Sequence, residues 1–284
     1  MSKAKGTRFG PVGQCIYCRC ASNCLTEEHI VTAAVSGDLI LTEASCSTCQ
    51  AEINKNIENP MMGMWKDMRY RMGMGSRRKN KRPNKLPLQL ATVADPEIGE
   101  RFIGGQLKID ESQWKPDHVT FDEHPTLLSL YKFDMPGWLR GLQLESDNDD
   151  FVRGVWTYQI VTPQQRPALA RIRLPLLPYL KLLAKIAHGF AVFRYGIDGF
   201  EPFLTDFIRG KQTPHPSLFI GCDWGPIPPA TGHPWHVRST LSPYGGLVLV
   251  RVRIFAMLGA PVYLIIVGKH RPESAQREPY GRAR

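Results

Sequence analysis

The feature that most constrains this chain is a pair of short cysteine repeats, Cys15-x2-Cys18 and Cys46-x2-Cys49, separated by 27 residues. Two thiolates at this spacing grip one side of a tetrahedral Zn²⁺, and two such knuckles close a structural site with no open coordination position. Six of the seven cysteines fall within the first fifty residues, which in a reducing compartment points to metal rather than to disulfides. A redox dithiol at Cys15 and Cys18 would need a strand-to-helix context that the local pattern lacks. Cys20 and Cys24 do not complete a second site and are left as spare thiols. Zinc would supply folding free energy to a stretch too short and polar to fold on its own.

The residues between the knuckles predict two strands, and those after Cys46 a helix. Thr26 to Val31 reads as a strand, Ser36-Gly37-Asp38 as a turn, Leu39 to Leu41 as a second strand, and Thr48 to Glu58 as a helix with Ile53 and Ile57 on one face. Asn59-Pro60 then starts a second helix. Its Met61, Met64, Trp65, Met68 and Met72 recur at helical spacing and are read as packing.

This order, with an acid-His-Ile run in Glu28-His29-Ile30, resembles the zinc-stapled branch of the HNH, or ββα-metal, endonucleases over residues 14 to 60. The resemblance implies that Zn²⁺ on Cys15, Cys18, Cys46 and Cys49 is structural. It implies that His29 is the general base activating water against a phosphodiester, and that Glu28 and an amide hold a catalytic Mg²⁺ or Mn²⁺. Gln50 occupies the position where the family usually carries Asn, and Asn54 or Glu58, one and two turns on, are its substitutes. Gln50 has a competing role in a Ser47-x-x-Gln50 capping box. Thr32 stands where a proline is usual. Glu28 and His29 are neighbours on a strand and point to opposite faces unless the strand is bent there. The chemistry suits these residue types independently. A neutral imidazole accepts a proton near its ordinary pKa of about 6.5, and a hard cation takes carboxylate, amide and phosphate oxygens.

Charge supplies the partner. The formal net charge is +10, a bias suited to a polyanion. From residue 64 to 85 the chain carries Lys66, Arg69, Arg71, Arg77, Arg78, Lys79, Lys81, Arg82 and Lys85 against Asp67 alone. We read Arg69, Arg71, Arg77, Arg78, Lys79, Lys81 and Arg82 as an arm gripping nucleic-acid phosphates, DNA in preference to RNA. Analogy with the family suggests an effector in phage defence or a mobile element. A decayed zinc-knuckle module that binds nucleic acid or protein without cutting is the alternative, and Gln50 is the residue that motivates it. The N-terminus lacks a secretory apolar core and no window is long and apolar enough to span a membrane, so a cytoplasmic protein is expected.

The predicted fold class is α+β, with a small zinc-bound ββα-metal module followed by a larger α+β domain. The expected boundaries are a nuclease module at 1–75, a basic linker at 76–85, an accessory domain at 86–270 and a polar basic tail at 271–284. The accessory domain is expected to supply targeting, control, homo-oligomerisation or a protein partner. Its clearest helix spans 175–196, with Leu176, Leu180, Leu183, Ala187 and Ala191 facing a core and Lys181, Lys185 and His188 on the opposite stripe. A short helix follows at 202–208. The runs LFIGCDW, HPWHVRSTL, LVLVRVRIFAML and PVYLIIVG then read as strands, with a hairpin at Leu258-Gly259. His233 and His236 lack the further ligands a metal site needs, and Asp147, Asp149 and Asp150 read as a solvated loop.

Overall fold

The computed structural model describes residues 6–21, 24–66, 69, 74, 85–92, 101–108, 153–161, 167–211, 219–222, 228–229, 231–243, 245–260 and 262–272, with residues 85–92, 101–108, 153–161, 167–176 and 222 described by backbone alone. The chain is α+β. Its N-terminal part is a three-stranded sheet of order β1-β3-β2, in which β1 (Thr7–Phe9) runs parallel to β3 (Leu39–Ser45) and β2 (Thr26–His29) antiparallel to it. The sequence-predicted turn is a one-turn 3₁₀ helix, Ala33–Val35, closed by Ser36 in the left-handed region (φ 63°). Gly37 follows because a Cβ there would collide with the Val31 carbonyl.

After β3 comes α1 (Ser47–Ile53), a π-helical turn (Asn54–Glu58), and α2 (Asn59–Met64) with Pro60 in its first turn. The π turn keeps Ile53 and Ile57 buried together and aims Glu58 inward. Single π turns inserted in α-helices are frequent at functional sites. Of the methionine-tryptophan stripe, Met61 and Trp65 are fully buried and Met64 is exposed, while Met68 and Met72 lie outside the described residues.

A four-stranded antiparallel sheet of order β5-β4-β7-β6 is formed by β4 (Lys85–Thr92), β5 (Arg101–Lys108), β6 (Arg153–Val161) and β7 (Pro167–Pro175). The last sheet has the order β10-β11-β12-β8, with β9 also on β12. It is built from β8 (Phe200–Pro202), β9 (Ile220–Cys222), β10 (Trp235–Leu241), β11 (Leu247–Ile254) and β12 (Tyr263–His270). The β11–β12 connection is the expected hairpin, turning through Phe255 and Gly259, both at positive φ. The acidic loop read at Asp147, Asp149 and Asp150 lies outside the described residues.

The long helix α3 (Leu176–Tyr195) departs from its expected amphipathic role. From Tyr179 to Val192 every residue is buried except Lys181, which is half-buried. The solvent stripe read from Lys185 and His188 is therefore corrected: both are 1% exposed or less. The physical reason is that α3 packs on β11 and β12 along one side and on the π turn along the other. A helix covered all round buries its polar residues too, provided each finds a partner. One hydrophobic cluster consequently runs from Ile16 and Val31 through Trp65 and α3 to Val250 and Ile265. Trp65 stands edge-on to Tyr179 and Phe255 at ring-centroid distances of 6.0 and 5.1 Å. A short helix, α4 (Thr205–Ile208), packs against α3, with the Phe207 ring centroid 5.7 Å from the Lys181 ammonium.

Candidate metal centre and the His29 face

The thiols of Cys15, Cys18, Cys20 and Cys46 lie within 4.8 Å of one another. Tetrahedral zinc with Zn–S bonds of about 2.3 Å places its sulfurs about 3.8 Å apart. The Cys18–Cys46 and Cys18–Cys20 sulfur separations are 3.7 and 3.3 Å, so the donor set fits a zinc-like ion. Cys20 joins this group, and Cys49, the fourth ligand that the spacing suggests, lies against it with its thiol hydrogen-bonded to those of Cys46 and Cys18. Arg19 adopts a left-handed conformation (φ 63°), and the Cys15 amide donates to the Cys20 carbonyl at 3.0 Å. That turn returns Cys20 to the cluster. Arg19 holds the turn down by donating to Asp198 at 3.0 Å and to the Ile197 carbonyl. Cys49 is buried beside the cluster, its amide donating to the Cys46 sulfur at 3.5 Å. Cys46 is the N-cap of α1, so the proposed Ser47–Gln50 capping box does not form the helix start.

The thiols do not ionise alike. Burial raises Cys15 and also works to raise Cys18. At Cys18, hydrogen bonds from the Cys20 amide and from the Cys20, Cys15 and Cys46 thiols prevail and bring it down to about 6. Cys20 is pushed up to about 12 by its hydrogen bond with Cys18, and Cys49 is raised chiefly by burial. At neutral pH the cluster therefore keeps protons that a metal ion would displace.

Glu28 and His29 sit at the end of β2, opposite Leu41 and Ile40 of β3. The pairing slips between Thr26 and Glu28, and the extra residues are on β3, where Glu43 has φ 50°. This is a bulge. β2 itself keeps its alternation, with Glu28 buried while Glu27 and His29 are half-buried. Residues two apart share a face, so the acid on the His29 face is Glu27, which accepts from Arg8 at 2.7 Å.

The Glu28 carboxylate points inward and meets Lys185 of α3 at 2.7 Å. Lys185 also pairs with Glu58 at 3.1 Å and donates to the carbonyl of His29 and, at 3.5 Å, to that of Ile30. Thr32 donates to Glu58 at 3.4 Å. The buried Tyr17 hydroxyl lies against Glu28. Burial, then the negative charge of Glu28 and Glu58, raises its pKa well above the phenol value. Burial by itself would lower the Lys185 ammonium. The two carboxylates outweigh it, and the net shift is upward. Glu28 is also raised, first by burial and then by Glu58, because two carboxylates share one ammonium.

The catalytic Mg²⁺ or Mn²⁺ implied by the resemblance does not fit this arrangement. Glu28 is filled by Lys185, and the Gln50 amide oxygen takes a hydrogen bond from Thr26 at 3.3 Å. Asn54 is exposed. Among the described residues, the cysteines are the sole group of three or more His, Cys, Asp or Glu ligands that converges. Of the basic arm, Arg69 is spent on the Ala34 carbonyl at 2.7 Å and on Met74. Arg71, Arg77, Arg78, Lys79, Lys81 and Arg82 lie outside the described residues. Lys185, Tyr17 and Arg8 were missed by sequence reasoning. The signal for Lys185 was a lysine inside an otherwise apolar helix. No family model, curated protein or solved structure was found to match the chain. No helix among the described residues is long and apolar enough to cross a membrane.

Proposed function

We propose that the chain is a nuclease of the ββα-metal type that hydrolyses phosphodiesters, with DNA favoured and with His29 as the general base. The observation that carries this reading is the order of parts: a cysteine cluster able to hold zinc, a bulged two-strand unit ending at His29, and a helix launched from Cys46. On that frame His29 is half-buried and shares its strand face with Glu27, which is paired to Arg8. Water would give its proton to the neutral imidazole, and the Arg8 guanidinium would attract the phosphate. The basic residues between 64 and 85 would add sequence-independent affinity for the backbone.

The test is cleavage of supercoiled plasmid by the zinc-loaded protein, run with EDTA, Mg²⁺ and Mn²⁺, beside His29→Ala. Loss of the base should slow cutting by about 10²–10⁴-fold. Equal cutting by wild type and His29→Ala would remove His29 from the mechanism. A second reading has its own support, because Glu28 and Gln50 are both engaged by the protein itself. On that reading the chain is a zinc module that binds nucleic acid without cutting, and gel retardation with no cleavage under every condition is its signature.

A further inference from the structure

The Glu28 side of β2 presents an unusual group for a protein interior: four oxygens of protein origin converging on one point. They are the Glu28 carboxylate, the Glu58 carboxylate and the main-chain carbonyls of His29 and Ile30. The donors are hard, two are anionic, and their number and type suit a divalent cation such as Mn²⁺ or Mg²⁺. The point is occupied by the ammonium of Lys185, contributed by a helix that begins more than a hundred residues later in the chain. We infer that Lys185 is a resident cation, taking the place of a divalent metal at Glu28, so that the native protein binds no such ion there.

Geometry makes the arrangement fixed rather than exchangeable. The Lys185 side chain is 1% exposed and that of Glu28 6%. Leu182, Leu183 and Ile186 around Lys185 are fully buried, which leaves the lysine stem no route to solvent while α3 stays packed. A metal ion would have to displace a charged group that has nowhere to go. Mg²⁺ would in addition have to shed most of its waters to sit among four protein oxygens in place of the ammonium. An ammonium has three protons to donate and finds two carboxylates and two carbonyls. Its bonds to the His29 and Ile30 carbonyls also hold the end of β2, which makes Lys185 a positioning residue for His29 in the nuclease reading. The occupancy of the cage itself does not depend on that reading.

The experiment counts bound Mn²⁺ by electron paramagnetic resonance on the full-length, zinc-loaded protein. Wild type and Glu28→Gln should bind the same number of Mn²⁺ ions. Lys185→Ala should gain one site, which Glu28→Gln abolishes when added to it. A wild-type site tighter than about 1 mM that disappears in Glu28→Gln would overturn the inference. So would a folded, zinc-containing Lys185→Ala that gains no site. If Lys185→Ala does not fold, the wild-type comparison with Glu28→Gln still decides, an equal count supporting the resident cation and an unequal one refuting it. Because the readout is metal binding, an inactive protein would count against the nuclease proposal and leave this result unchanged.

Discussion

Replacing Lys185 by Met keeps the length of the side chain and removes its charge, and the structure allows the consequence to be sized. The ammonium lies 2.7 Å from Glu28 and 3.1 Å from Glu58. At an effective dielectric of about 20, each attraction is about 5–6 kcal/mol before desolvation. Taking three ions out of water offsets most of that sum, but the offset was incurred for the ions as a set. Removing one member strands the others and costs about 3–5 kcal/mol. For a chain of this size the melting temperature should fall by about 5–8 °C. The cost should also depend on pH. With no cation between them, the two carboxylates hold a proton more tightly folded than unfolded. Their stabilising contribution is then present at acid pH and lost as pH rises through the raised native value. Denaturant unfolding at constant saturating zinc, from pH 5 to 8, should show the gap between Lys185→Met and wild type widening with pH. Adding Glu28→Gln to Lys185→Met should recover about half of the loss. A gap under about 1 kcal/mol at pH 7, or one that Glu28→Gln does not reduce, would show that the ions are solvated and the triad reasoning is wrong.

His188 donates from Nε2 to the Ile16 carbonyl at 2.8 Å and is fully buried, and burial lowers its pKa from 6.5 to about 4. The unfolded chain therefore takes up the proton first, and as pH falls from about 6.5 to about 4 the native state should lose about 3 kcal/mol. His188→Gln, which keeps a donor, should show a shallower acid loss in parallel denaturant titrations, and an unchanged slope would contradict the assignment. At the metal centre, Cys20→Ser should lower zinc content measured by atomic absorption after dialysis against a mild chelator, whereas Cys49→Ser should retain it. The reverse ranking would return the fourth position to Cys49. Trp65→Ala should cost about 3–5 kcal/mol, because the indole is fully buried between Tyr179 and Phe255. An effect under about 1 kcal/mol would mean that α2 is not anchored there.

Local chemistry was legible in the sequence wherever one segment carried the whole signal. The strand-turn-strand order between the knuckles, the helix that follows Cys46 and the Leu258-Gly259 hairpin depend on neighbours within a few residues, and each is present. The expected helix start at Asn59-Pro60 is not one, because Asn59 is already helical (φ −61°, ψ −46°) and carries α1 on through the π turn into α2. That Cys20 joins the cluster was harder to see. It depends on Arg19 adopting positive φ, and Arg19 is held by Asp198 and Ile197, partners about 180 positions away. Spacing alone favours the symmetric pair of knuckles, while the folded turn favours the thiol that the chain reversal brings back.

The misreading of α3 has a more general cause. A period of 3.6 in the apolar residues predicts one buried face, and Lys181, Lys185 and His188 then fall on the other by construction. Periodicity reports which residues are apolar, and burial of a polar residue is decided by whether its hydrogen bonds can be met. Lys185 and His188 are three apart on α3, and both turn toward the N-terminal part of the chain. One takes the carbonyls that end β2, the other the carbonyl between the first two cysteines. The same two residues therefore join α3 to the end of the His29 strand and to the start of the metal knuckle. Each half of that arrangement compensates the other: the carboxylates of Glu28 and Glu58 meet an ammonium, and a lysine buried in an apolar helix meets carboxylates. It follows that the His29 face and the cysteine cluster are held in register by a helix that carries no residue of either, and that α3 belongs to the site as much as β2 does.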